Sequence, residues 1–241
     1  MSKTAELSRK DMKEPDRFQV VATQAAGWIG AHRQLMTLLG AAVVLLFVVV
    51  GAVSLIQSSR AEHAGTEGAA LLAAVSAEVS SIPLPGATGK TFPDEATKQK
   101  AIIAEAEKVL KDYPASPPAA LALLAKGDAH FRLGEMEPAQ RAYEQYLALT
   151  DAKDSLRFGA LEGLALVAES KNDLDGAAAG WARLGKEAPE FADRAELEGA
   201  RVLAKAGKKA DAKKLLEGFG ERHPTSFLTP QATKALGALA P

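Results

Sequence analysis

Between Leu35 and Ile56 the chain reads LMTLLGAAVVLLFVVVGAVSLI, 22 residues without a charge. At a rise of about 1.5 Å per residue, a helix of that length covers the roughly 30 Å hydrocarbon core of a bilayer. A retained anchor fits the run better than a cleaved signal peptide. The apolar stretch exceeds the roughly 7–15 residues of a signal, a long region precedes it, and no small-x-small site follows. Before it stand Lys3, Arg9, Lys10, Lys13, Arg17 and Arg33, whereas Gln57 to Ser80 offers only Arg60. Positive-inside counting leaves residues 1–34 in the cytoplasm. The remainder then lies beyond the inner (cytoplasmic) membrane, in the periplasm of a Gram-negative cell. Within the tail, Pro15 and Asp16 read as a helix start. Phe18, Val21, Ala25 and Trp28 form one apolar stripe, so an amphipathic lead-in helix over 16–34 is expected in the inner headgroup layer or docked on a membrane partner.

Alanine and leucine dominate the remaining 180 or so residues, and the aromatic share is 5%. Runs of Val, Ile and Thr are scarce after residue 60, which favours an all-α body over a sheet. A formal charge of −1 removes the basic field that non-specific nucleic-acid binding needs. The lack of cysteine excludes disulfides, thiolate zinc, thiol catalysis and an acylated cysteine anchor.

Offsets from three turn residues expose a repeat. From Gly134, Asn172 and Gly207, five positions on lie Ala139, Ala177 and Ala212; nine on lie Tyr143, Trp181 and Leu216; twelve on lie Tyr146, Leu184 and Phe219. Seven positions before the turns lie Gly127, Ala165 and Ala200, and seventeen after lie Asp151, Pro189 and Pro224. Small residues at facing positions let the two helices of a hairpin approach, and the bulky ones fill the gap to the next hairpin. Glycine or asparagine supplies the left-handed residue that ends the first helix, and proline stops the second. The turns are 38 and 35 residues apart, near the ~34 of one known repeat class.

GDAHFRLGEMEPAQRAYEQYL and the unit carrying Trp181 and Pro189 resemble tetratricopeptide repeats, over roughly residues 119–224. Two positions depart from the family, with His130 and Ala168 where an aromatic is usual. Ile102, Ala106, Val109 and Pro114 repeat the second-helix spacing, so a further half-unit precedes, its first helix expected at Arg60 to Ser80. The resulting plan is an N-terminal transmembrane helix followed by a tetratricopeptide-type α-solenoid of about three and a half hairpins. It divides into a cytoplasmic tail (1–34), a membrane helix (35–56), a first hairpin (57–118) with a Pro/Gly linker at 81–94 where regular structure is not expected, three repeats (119–224) and a capping helix (225–241). The resemblance implies a concave protein-binding groove formed by the first helices. Its expected residues are Asp128, Phe131, Arg132, Glu162, Leu166, Glu169, Arg194, Arg201 and Lys205. The family's clamp for C-terminal carboxylates would need basic or amide residues near Leu124 and Asp128, and these are lacking.

No chemistry competes with that reading. Gly89-Lys90-Thr91 imitates a phosphate loop, but Leu84 stands where its first glycine belongs and Pro83 and Pro85 forbid the preceding strand. His32, His63, His130 and His223 are scattered, and no Gly-x-Ser-x-Gly occurs, so no catalytic residue, metal, cofactor or small-molecule substrate is expected. Lys205, Lys208, Lys209, Lys213 and Lys214 read as solvated surface, interrupted by Asp211 and Glu217. The order of tail, single anchor and repeat domain resembles the YfgM-like ancillary subunits of the SecYEG translocon. That likeness implies a non-enzymatic accessory whose partners are membrane-complex subunits, periplasmic proteins or chaperones. A scaffold of another envelope machine (secretion, cell division, cytochrome maturation) is the alternative, and a membrane-tethered hydrolase the least supported reading.

Overall fold

The structure, a computed structural model, describes residues 32–80 and 90–239, with Val21 and Trp28. It divides into two compact units, Met1–Ser59 and Arg60–Pro241. Of the expected lead-in helix, residues 16–34, only Val21, Trp28 and 32–34 are among the described residues; Val21 and Trp28 are helical, and His32 stacks on Trp28 at 4.6 Å. Helix α1 runs Arg33–Ser76, so the apolar run and the first-hairpin helix belong to one element. Its stretch Leu45–Ser76 is long and apolar enough to cross a membrane. Leu45, Phe47 and Leu55 are 65%, 73% and 74% exposed, an apolar surface that water alone would not favour.

In the second unit, α1 ends four residues short of the expected Ser80 because the chain turns to pair. Glu78–Val79 (β1) and Thr91–Phe92 (β2) make a two-residue parallel bridge, extended by Ser80 N–H donating to the Phe92 carbonyl at 2.8 Å. Regular structure thus reaches into the far end of the Pro/Gly linker; residues 81–89 lie outside the described set. Thereafter every element of more than three residues is helical: α2 (Glu95–Asp112), α3 (Pro117–Arg132), α4 (Met136–Leu149), α5 (Arg157–Ser170), α6 (Leu174–Glu187), α7 (Ala192–Lys205), α8 (Lys209–Leu216), α9 (Phe219–Arg222) and α10 (Thr229–Ala238). A 3₁₀ turn, Pro189–Phe191, links α6 to α7. This is an all-α solenoid of tetratricopeptide type, with hairpins α3/α4, α5/α6 and α7/α8.

Each hairpin turn has the geometry its residue allows. Gly134, Asn172 and Gly207 have φ of 77°, 59° and 79°, and two residues of each turn donate back to the first helix, as Glu135 N–H does to the His130 carbonyl at 2.9 Å. Successive cores join three consecutive helices. Leu71, Ile102, Ala106, Val109 and Ala122 knit α1, α2 and α3. Leu123, Tyr143, Tyr146 and Val167 knit α3, α4 and α5, and Leu161, Trp181, Leu184 and Val202 knit α5, α6 and α7. Ala200, Leu216, Phe219 and Ala232 close the stack under α10. Tyr143 sits between two glycines: a Cβ at Gly127 would come 2.6 Å from its ring and one at Gly163 closer still. His130, at a position where tetratricopeptide repeats usually carry an aromatic, is buried with its Nδ1 2.5 Å from Glu135 Oε2, so a side-chain hydrogen bond replaces ring packing.

The third hairpin departs from expectation. Its second helix is broken at Gly218 (φ 68°), leaving α8 and α9 as separate pieces. Arg222 takes up the carbonyls freed by the break, donating to Glu217 at 2.6 Å and Leu215 at 2.7 Å.

Candidate protein-binding site

The nine groove residues of the sequence reading fall on α3, α5 and α7, the first helices of the three hairpins. Asp128 on α3 and Glu162 on α5 lie close enough for their carboxylates to repel one another. Asp128 and Arg132 line a cleft of about 400 Å³ formed with α1 and α2. Phe131 and Leu166 are half-buried and pack against the adjoining cores. The remaining five are tied to each other between hairpins. Glu162 pairs with Arg194, and Glu169 pairs with Arg201 at 2.6 Å and with Lys205 at 3.1 Å. Arg201 also holds Glu198 at 2.6 Å.

These ties set the titration of the face. Hydrogen bonds from Arg201, with Lys205 adding to them, hold the Glu169 carboxyl down at about 2. Glu162 behaves oppositely: burial pushes its pKa up and outweighs the opposing pull of Arg194. Asp128 is raised as well, the protein crowding its carboxylate more than the Tyr143 hydroxyl, which donates at 2.7 Å, relieves it.

The cleft itself offers mostly hydrocarbon, from Leu72, Val75, Ile102, Leu121, Leu124 and Ala125. Leu72 and Val75 are 51% and 40% exposed. Every polar lining side chain is already engaged. Lys98 Nζ donates to the Ala77 carbonyl at 2.7 Å, Gln99 to Glu95 at 2.6 Å, and Arg132 lies 3.8 Å from Glu95. Sequence reasoning missed this apolar set. Leu72 and Val75 were readable as the outer face of the first-hairpin helix, but their meeting with α3 depends on how that helix packs. Among the described residues, no cluster of His, Cys, Asp and Glu could hold a metal.

A family model described as tetratricopeptide repeat matches residues 195–226, the third hairpin. The fold is similar to that in the crystal structure of MamA, at 18% identity and a TM-score of 0.48, covering 59% of this chain and 77% of that one. No curated protein sequence matches. The repeat match spans the third hairpin alone; the helical hairpins and their left-handed turns make the fold one of tetratricopeptide type.

Proposed function

We propose that the chain is a membrane-anchored, non-enzymatic interaction module. Its repeat unit lies outside the cytoplasm and holds polypeptide partners beside a membrane complex such as the Sec translocon and its chaperone network. The observation that carries this reading is the cleft of α1, α2 and α3, where exposed leucine and valine side chains are flanked by polar groups that already have partners within the chain. Such a surface favours apolar stretches of polypeptide over charged tails. The uncharged run within α1 supports anchoring to the bilayer through one helix, and the excess of Lys and Arg before it supports a cytoplasmic N-terminus.

Affinity capture from gently solubilised membranes tests the partner. Translocon subunits are expected with the native chain and lost with Leu72→Glu/Val75→Glu, which alters only exposed side chains. Capture of secretion, division or cytochrome-maturation subunits instead would favour the scaffold alternative, and equal capture by both forms would remove the cleft from the mechanism. Reporter fusions test the topology: alkaline phosphatase should be active at the C-terminus and inactive at the N-terminus.

A further inference from the structure

Asp128 is the only acidic residue of α3, and it stands in the wall of the cleft among Leu72, Val75, Ile102, Leu121 and Leu124. Its side chain is accessible there. Oδ1 accepts from the neutral Tyr143 hydroxyl of α4 at 2.7 Å, and no ion pair reaches the carboxylate from the described residues. The charges that face it do not neutralise it. Arg132, one turn along α3, attracts it but lies 3.8 Å from Glu95 of α2. Lys98 of α2 donates to the Ala77 carbonyl. Glu162 of α5 is a second anion beside it, and Arg194 of α7 pairs with Glu162. From α1 the cleft receives only Leu72 and Val75. Crowding by the protein already raises the pKa of Asp128, as removal of water from a carboxylate does. An uncharged guest laid in this cleft displaces more of that water and supplies no cation in exchange, a cost that falls on the ionised form alone. Protonated at Oδ2, the group still accepts from Tyr143 and gains an O–H to donate to a carbonyl of the guest backbone.

We propose that the cleft binds its guest together with a proton, carried on Asp128, so that an uncharged apolar stretch of polypeptide is held more tightly as pH falls. The inference rests on the cleft being the seat of that guest. By linkage, affinity is greatest below the pKa of the empty cleft and falls, by at most about tenfold per pH unit for one proton, until that of the occupied cleft is passed.

Isothermal titration calorimetry of the full chain in nanodiscs, with empty nanodiscs as blank, tests this with an acetylated and amidated peptide of leucine and serine, which has no titratable group. Repeating the titration in buffers of different ionisation enthalpy, from about pH 4.5 to 7, counts the protons taken up with the peptide. The native chain should take up a large fraction of one proton within that range, and Asp128→Asn at least about fivefold less with unchanged helicity. Tyr143→Phe, which removes the donor that favours the ionised form, should move the uptake to higher pH. Leu72→Glu/Val75→Glu should abolish binding. Cleft binding without proton uptake, equal uptake by Asp128→Asn, or affinity that rises with pH would each overturn the proposal and leave the cleft in place. Binding that survives Leu72→Glu/Val75→Glu, or none by the native chain, would remove the cleft reading and the proposal with it.

Discussion

Tyr143 shows how much one side chain decides in a stack of hairpins. It fills the space between α3 and α5 because neither Gly127 nor Gly163 has a Cβ, and its hydroxyl reaches Asp128 at 2.7 Å. Gly127→Ala or Gly163→Ala should cost about 1–3 kcal/mol through overpacking, read as a lower urea midpoint with an unchanged slope. Tyr143→Ala should cost more, about 3–5 kcal/mol, by leaving a cavity. The offsets marked Gly127 as a small position and Tyr143 as a bulky one, but set Gly127 against the facing alanine and Tyr143 in the gap before the next hairpin, so the contact of Gly127 with the ring was not legible. Gly163 was passed over altogether, because it stands nine residues before Asn172 and not seven. A second residue-scale prediction concerns Glu169. Its folded pKa of about 2 lies below the ordinary 4.5, so its stabilisation is complete above pH 4.5 and disappears as pH falls toward 2. The advantage in thermal midpoint of the native chain over Glu169→Gln should shrink across that window. Glu162, whose pKa burial raises, should give the opposite trend, with the native chain losing ground to Glu162→Gln as pH rises past 4.5.

Among the elements, helix starts and ends follow local chemistry. Asp94 caps α2 by accepting from Thr97 N–H at 2.7 Å, and Asp173 caps α6 by accepting from Gly176 N–H at 2.9 Å. Replacing either by alanine should cost about 1 kcal/mol in denaturant unfolding. The break between α8 and α9 is more demanding. Gly218→Ala puts a Cβ on a left-handed residue and 3.3 Å from Arg222, and should cost about 1–2 kcal/mol. The sequence reading ran this helix through because Ala212, Leu216 and Phe219 keep helical spacing, and all three are indeed buried. Burial phase survives a one-residue kink, so spacing alone could not reveal it. Similarly, the early end of α1 rests on a pairing between Glu78–Val79 and Thr91–Phe92, which are too far apart in sequence for local pattern to report.

At the scale of the whole molecule, the three left-handed turns and the matched small and bulky positions made the hairpin stack readable from sequence. The groove was less so. Helical phase placed its nine residues on the first helices of the three hairpins, but which of them meet depends on the spacing between neighbouring hairpins, and only packing sets that. Interior helices of the stack have neighbours on both sides and terminal ones do not. Amide exchange should therefore be slowest in α4 to α7 and fastest in α10, with α2 between; uniform protection would contradict a nearest-neighbour stack. The ties from Glu162 to Arg194 and from Glu169 to Arg201 and Lys205 carry a mechanical meaning. They clip the second hairpin to the third, so a strongly charged guest laid across them would have to undo the clips and slacken the coil, whereas an uncharged guest would leave the spring as stiff as it found it.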